Sequence, residues 1–272
     1  MTKERLDRLL VSCGLVDSLK KAFAVVITGE VLVDGQVCLK PAHLVDVSAV
    51  IEFRPAGLDY VSRGGLKLEY ALDCFQHEVK GLVVLDSGAS TGGFSDCLLR
   101  RGARKVIAVD VGYGQLAWKL RCDERVELHE RVNVRYLKRE NISEPADMAT
   151  LDLSFISLTT VMPSIIGCLK EDGTVLALVK PQFEIWKGQV VKGGVVKNKQ
   201  LHVDVLTRLG RKFIESGLSL VGITSSPIVG AKGNIEYWQY LSKKPLLGYA
   251  SEGLESAAQK IVEEAHKRLR QE

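Results

Sequence analysis

The sequence predicts an α/β protein with a mostly parallel sheet, preceded by a small α+β module. Three observations carry this expectation. Strand-length apolar runs alternate with amphipathic stretches beyond about residue 64, basic residues crowd the first forty positions, and a Pro-Ala-Gly break separates the two patterns. Alternation of strand and helix implies right-handed βαβ units, hence parallel strands with helices on both faces. A chain of 272 residues also favours two domains of unequal size.

In the first module Leu6, Leu9 and Leu10 repeat at helical spacing, and Gly14 ends that helix. Ser18 serves as N-cap of a second helix through Val26, which Gly29 stops. Glu30–Val33 and Gln36–Leu39 flank Asp34-Gly35, a pair suited to a two-residue hairpin because both central positions need positive φ. Ala49–Phe53 reads as a further strand. The amino terminus reads as polar and helical from its start, with no apolar leader segment. Pro55-Ala56-Gly57 then marks the boundary, which gives a first domain over 1–57.

Beyond the break, Leu66, Leu68, Ala71, Leu72 and Phe75 predict a helix. The strands expected after it are Leu82–Asp86, Lys105–Asp110, Val126–His129, Met148–Leu153, Thr174–Lys180, Leu218–Thr224 and Glu236–Leu241. Seven strands wound in this way make a Rossmann-like sheet. A last, heavily charged helix runs from about Ser256 to Arg270.

Composition narrows the function. The net charge of +4 is mildly basic and only weakly favours a polyanionic partner. Its distribution says more, because Lys3, Arg5, Arg8, Lys20, Lys21 and Lys40 outnumber the acids around them. The six cysteines lie far apart without a CxxC pair, as expected of small reduced core residues in a cytosolic protein. The five histidines show no HExxH, so no structural metal is expected. No apolar run approaches the ~20 residues needed to span a bilayer, which points to a soluble, cytoplasmic protein.

The first strand of the sheet ends LVVLD and runs into SGASTGGF before a helix at Ser95–Arg101. Glycines 88, 92 and 93 let the backbone turn and approach a ligand closely. The loop lacks GxGxxG and the Lys-Ser/Thr of a P-loop, which disfavours NAD and ATP. Asp86 and Asp110 end successive strands twenty-odd residues apart, and an acid there accepts from the two hydroxyls of a ribose. A nucleoside cofactor without phosphate, carrying a sulfonium cation, suits a pocket edged by carboxylates. That description fits S-adenosylmethionine.

Four more ionisable residues sit near expected element ends: Lys67, Asp152, Lys180 and Glu236. A lysine ending an apolar strand either snorkels to the sheet rim or serves chemistry there. A lysine beside another cation and partly desolvated gives up its proton more readily and becomes a usable general base. A sugar hydroxyl needs such a base before it attacks a methyl group. Spacing alone does not bring the four together.

The stretches RLDRLLVSCGL, GEVLVDG, YVSRGGLKLEYAL, LDSGASTGGFSDCLL, VDVGYGQLAWKLR, LDLSFISL, VKPQFE, KGGVV and GNIEYW run in order over nearly the whole chain. Together they resemble the TlyA family of bacterial rRNA 2′-O-methyltransferases, historically labelled hemolysins. The second domain is similar to FtsJ-type methyltransferases and the first to the alpha-L RNA-binding motif. The resemblance implies a catalytic set at Lys67, Asp152, Lys180 and Glu236, with Lys180 as general base, Asp152 orienting it, and Lys67 and Glu236 positioning the hydroxyl. It implies a cofactor loop over Asp86, Ser87, Gly88, Ala89, Ser90, Thr91, Gly92, Gly93 and Phe94, with Asp110 on the ribose and Val111 beside it.

The family's rRNA-contacting positions fall on Lys3, Arg5, Lys20 and Lys40, and Arg8, Lys21 and Arg63 complete the basic set expected to meet RNA. A linker over 58–63, including Leu58–Ser62, would couple RNA docking to cofactor binding and lead into the methyltransferase domain, 64–272. The implied substrate is a cytidine ribose in large-subunit rRNA, with the small subunit as a second candidate, acted on by a monomer. Two readings of other classes compete: a membrane-active hemolysin, and a non-catalytic RNA-binding assembly factor.

Overall fold

The computed structural model describes residues 3–27, 31–38, 40–53, 60–185, 194–250 and 252–269. The chain separates into two compact units, Met1–Arg63 and Gly64–Glu272. Gly29, Glu30, Leu39, the Pro55-Ala56-Gly57 break, Leu58 and Arg270 lie outside the described residues.

The first unit opens with a short strand, β1 (Lys3–Arg5), followed by α1 (Leu6–Ser12) and α2 (Leu19–Ile27). It continues through β2 (Val31–Val33), β3 (Gln36–Val37), β4 (Leu44–Asp46) and β5 (Ile51–Phe53). Leu6, Leu9, Leu10, Val16, Ala22, Val26, Val31 and Val45 form its core. Strands β3, β2 and β5 make an antiparallel sheet. Asp34 and Gly35 turn between β2 and β3 with φ of 50° and 75°, the conformation that pair was expected to supply.

One sequence expectation fails here. The amino terminus is not helical from its start, because Lys3–Arg5 is extended and pairs antiparallel with Leu44–Asp46. Neither segment alternates apolar and polar residues in a way that reveals a strand. Long-range pairing, not local pattern, makes both of them.

The second unit begins with α3 (Gly64–Cys74) and contains one seven-stranded sheet. Its strands are β6 (Val83–Ser87), β7 (Lys105–Asp110), β8 (Val126–Glu130), β9 (Ala146–Leu151), β10 (Leu169–Val179), β11 (Ser219–Ser225) and β12 (Tyr237–Ser242). Each overlaps a strand expected from the sequence, because buried runs such as LVVL at 82–85 and VLALV at 175–179 are continuously apolar. Helices α4 (Gly93–Arg100), α5 (Trp118–Arg121), α6 (Leu158–Cys168), α7 (Pro181–Glu184), α8 (Lys199–Glu215) and α9 (Leu254–Leu269) connect or follow them.

The strand order is β11-β12-β10-β9-β6-β7-β8. Strands β10, β9, β6, β7 and β8 run parallel, and β12 lies antiparallel between β10 and β11. Val83, Leu85, Ile107, Val109, Leu151 and Val175 form one core with α6, α8 and α9. The alternate residues face α3 and α4, where the rings of Phe94 and Trp238 lie 5.5 Å apart. Strand order reverses between β6 and β9, so the carboxyl ends of those strands border the crevice where such sheets hold ligands.

All six cysteines are free, but only Cys97 and Cys168 are buried. Cys13, Cys74 and Cys122 are exposed and Cys38 is intermediate, so the expectation of core cysteines holds for two of the six.

Candidate active site

Every residue singled out for chemistry in the second unit lies at or near the carboxyl edge of the parallel strands. Ser87 ends β6, and the chain turns through Gly88, Ala89, Ser90, Thr91 and Gly92 into α4, which Gly93 and the buried Phe94 begin. Gly88 has a φ of +86°, and a Cβ there would sit 2.5 Å from the carbonyl oxygen of Asp152. The loop therefore presses against the end of β9, at a distance only glycine permits.

Asp110, just inside the end of β7, is held by backbone. Its Oδ2 accepts from the Ser90 N–H at 2.8 Å and its Oδ1 from the Gly112 N–H at 2.6 Å. Each oxygen keeps capacity for a further donor, as a pair of ribose hydroxyls requires. No lysine or arginine occurs from Asp86 to Phe94 to meet a phosphate. The set fits a phosphate-free nucleoside cofactor. Val111 is exposed beside it.

Asp86 is placed differently from a pocket wall. The ladder pairs Asp86 with Ala108 and Ser87 with Val109, so the two acids are not level at the strand ends. Asp86 is fully buried and accepts from Ser95 Oγ at 2.6 Å and Thr150 Oγ1 at 3.0 Å, tying β6 to α4 and β9. Burial pushes its carboxyl up to about 6, against the pull of those two hydrogen bonds. The folded state therefore holds this proton more tightly than the unfolded chain, and stability falls as pH rises from about 4 through 6. A shift of that size is worth about 3 kcal/mol. Asp86→Asn keeps partners for both hydroxyls, so its stability relative to wild type should improve by about that amount between pH 4 and pH 7. Urea unfolding at several pH values checks this; a constant difference across the range would refute it.

The other four residues form two ion pairs. Lys67, in the first turn of α3, donates from Nζ to Glu236 Oε2 at 2.6 Å, with side chains 11% and 3% exposed. Lys180 follows β10, and its Nζ lies 2.6 Å from Asp152 Oδ1, just past the end of β9. Val179 pairs with Tyr237 in the antiparallel β10–β12 ladder, and one further step in that register sets Lys180 opposite Glu236. Antiparallel β12 thus delivers a residue from its start to the edge where the parallel strands end. Gly230 packs on Glu236 so closely that a Cβ would collide with the carboxylate.

Sequence reasoning missed the surroundings of Lys180. Its Nζ donates a hydrogen bond to Ser154 Oγ at 3.1 Å, beside the ion pair with Asp152. Phe155 is 90% exposed and has a φ of 64°, an unusual backbone state for a bulky residue and one that recurs at functional sites. Its ring centroid lies 4.7 Å from that of Phe183. In the sequence, LDLSFISL reads as an apolar strand end, and nothing in it separates an exposed phenylalanine from a core one.

In the first unit Lys3, Arg8, Lys20, Lys21 and Lys40 are exposed. The Arg5 guanidinium makes a two-point contact with Asp7, at 3.0 and 2.6 Å, and Lys21 pairs with Asp17 at 3.3 Å. Arg63 is half-buried. Among the described residues no cluster of three or more His, Cys, Asp or Glu could hold a metal, and no helix is long and apolar enough to cross a membrane.

A Rossmann-like sheet with this order and a nucleoside loop defines a methyltransferase domain. Residues 60–243 match the family of FtsJ-like methyltransferases and residues 4–51 match the S4 domain. The chain is 44% identical over 263 residues to the 16S/23S rRNA (cytidine-2′-O)-methyltransferase TlyA of Mycobacterium tuberculosis, covering 96% of this chain and 98% of that protein. It is 43% identical to the Bacillus subtilis protein YqxC, provisionally named an rRNA methyltransferase, over 99% and 96% of the two chains. A solved structure from Streptococcus thermophilus, provisionally labelled a hemolysin, superposes with a TM-score of 0.78 at 38% identity, covering 100% of this chain and 98% of that one. The chain belongs to the TlyA family.

Proposed function

We propose that this chain transfers a methyl group from S-adenosylmethionine to the 2′-hydroxyl of a cytidine ribose in ribosomal RNA, as a cytoplasmic monomer. The observation that carries the reading is the pair of lysine–carboxylate contacts at one sheet edge, beside a loop suited to a phosphate-free nucleoside. When bound, the cofactor supplies an electrophilic methyl group on a sulfonium. Asp110 takes the ribose hydroxyls of that cofactor, and the Ser87–Gly92 backbone shapes its seat.

The chain's own residues do the rest. Exposed Lys3, Arg8, Lys20, Lys21 and Lys40, with Arg5 and Arg63, meet phosphates, which supplies affinity and position more than sequence preference. The target nucleotide leaves its helix to reach the sheet edge, and the exposed ring of Phe155 offers its base a stacking surface. The neutral amine form of Lys180, oriented by Asp152 and Ser154, takes the hydroxyl proton, which frees the 2′-oxygen to attack the methyl group that the cofactor would supply. Lys67 and Glu236 hold the acceptor, and the linker over 58–63 couples RNA docking to cofactor binding.

Incubation of the protein with S-adenosylmethionine labelled in its methyl group and separated, unmodified ribosomal subunits tests this. Label is expected on a cytidine ribose in one or both subunits. Absence of label from both would overturn the reading.

A further inference from the structure

We propose that Glu184 is a positioning residue for methyl transfer, acting by locking together the two segments that carry Lys180 and Asp152. This inference rests on the reading of Lys180 as the reactive base. The first segment, the loop 152–157, leaves β9 with Asp152, Ser154 and Phe155; the second, 180–184, leaves β10 with Lys180 and continues as the single turn of α7, which carries Phe183. Three contacts staple them: Lys180 to Asp152 and Ser154, the Phe155–Phe183 ring pair, and Glu184.

The third contact is the most enclosed. The Glu184 side chain is 2% exposed, with Oε1 accepting from the Leu158 N–H and Oε2 from Ser157 Oγ, both at 2.8 Å. It thereby occupies the first turn of α6, where backbone N–H groups need acceptors. Among the described residues the one cation paired with it, Arg208, stands 3.8 Å away and donates to the Glu184 carbonyl at 2.6 Å. Burial pushes the carboxyl up, so a buried acid is retained here despite its cost. The return is geometric: Glu184 follows Lys180 by one helical turn, Ser157 follows Asp152 by five residues, and fixing the far ends of both segments fixes the near ends. Reactions of this kind are sensitive to misplacement of about 1 Å.

Three variants test the proposal. Glu184→Leu fills the same space without either contact and should lower the single-turnover rate 10- to 100-fold, with S-adenosylmethionine affinity unchanged. Glu184→Gln, whose amide accepts from Leu158 and donates to Ser157, should restore the rate to within about 3-fold of wild type. Ser157→Ala, which loses one of the two contacts, should show a smaller loss and keeps the test available if Glu184→Leu fails to fold. Rates are read well below each variant's unfolding midpoint. A purely structural role would lower the midpoint and leave the rate of the folded protein unchanged; that result, in Glu184→Leu or in Ser157→Ala, overturns the proposal. A Gln variant as slow as the Leu variant would overturn it as well. Full activity of Lys180→Ala would instead defeat the reading of the base, which these three variants do not address.

Discussion

Lys180→Ala should reduce methyl transfer by about a thousandfold, the scale expected for loss of a positioned general base. The side chain is 11% exposed and is held by Asp152 at 2.6 Å and Ser154 at 3.1 Å, so its nitrogen occupies a defined place at the sheet edge. Neither Asp110 nor the glycine loop depends on it, and equilibrium binding of S-adenosylmethionine should stay within about threefold of wild type. Single-turnover transfer to rRNA measures the first quantity and calorimetry the second. A variant that binds cofactor and transfers methyl groups at the wild-type rate would remove Lys180 from the mechanism.

The second large effect concerns stability. Glu236→Ala leaves the Lys67 ammonium in a nearly closed space without its carboxylate, and breaking such a pair costs about 3–5 kcal/mol. Replacing both partners by apolar residues, as Lys67→Met with Glu236→Leu, removes the uncompensated charge and should recover most of that loss. Activity should be absent from both proteins. Urea unfolding alongside methyl transfer separates the two roles. A double variant as unstable as Glu236→Ala would show that packing, not charge, sets the cost.

The sheet was legible in the sequence because parallel strands buried on both faces are largely continuous apolar runs, as LVVL at 82–85 and VLALV at 175–179 illustrate. The first and fourth strands were not legible, since Lys3–Arg5 and Leu44–Asp46 exist only through each other. The four ionisable residues were visible one by one as charges near apolar strands. Their meeting was not visible, because it depends on β12 running antiparallel beside β10, which no local pattern encodes. Asp86 shows the converse: its type and position suggested a pocket wall, yet alternation along β6 turns its carboxylate towards Ser95 and Thr150 inside the fold. Phe155 and Glu184 were missed for a similar reason, since exposure and burial at loop positions are set by tertiary packing.

The contact between Lys67 and Glu236 joins residues 169 positions apart. One comes from the first helix of its unit and the other from the entry to the last strand. During synthesis, therefore, the helix and the glycine loop emerge long before the carboxylate that completes them. A nascent chain ending short of residue 236 leaves the Lys67 ammonium without its carboxylate, and contacts of such long range slow folding because their loop closure costs entropy first. The arrangement makes the cluster all-or-none with respect to chain length: a fragment ending just after Lys180 carries the glycine loop and three of the four ionisable residues, and still lacks the carboxylate that pairs with Lys67.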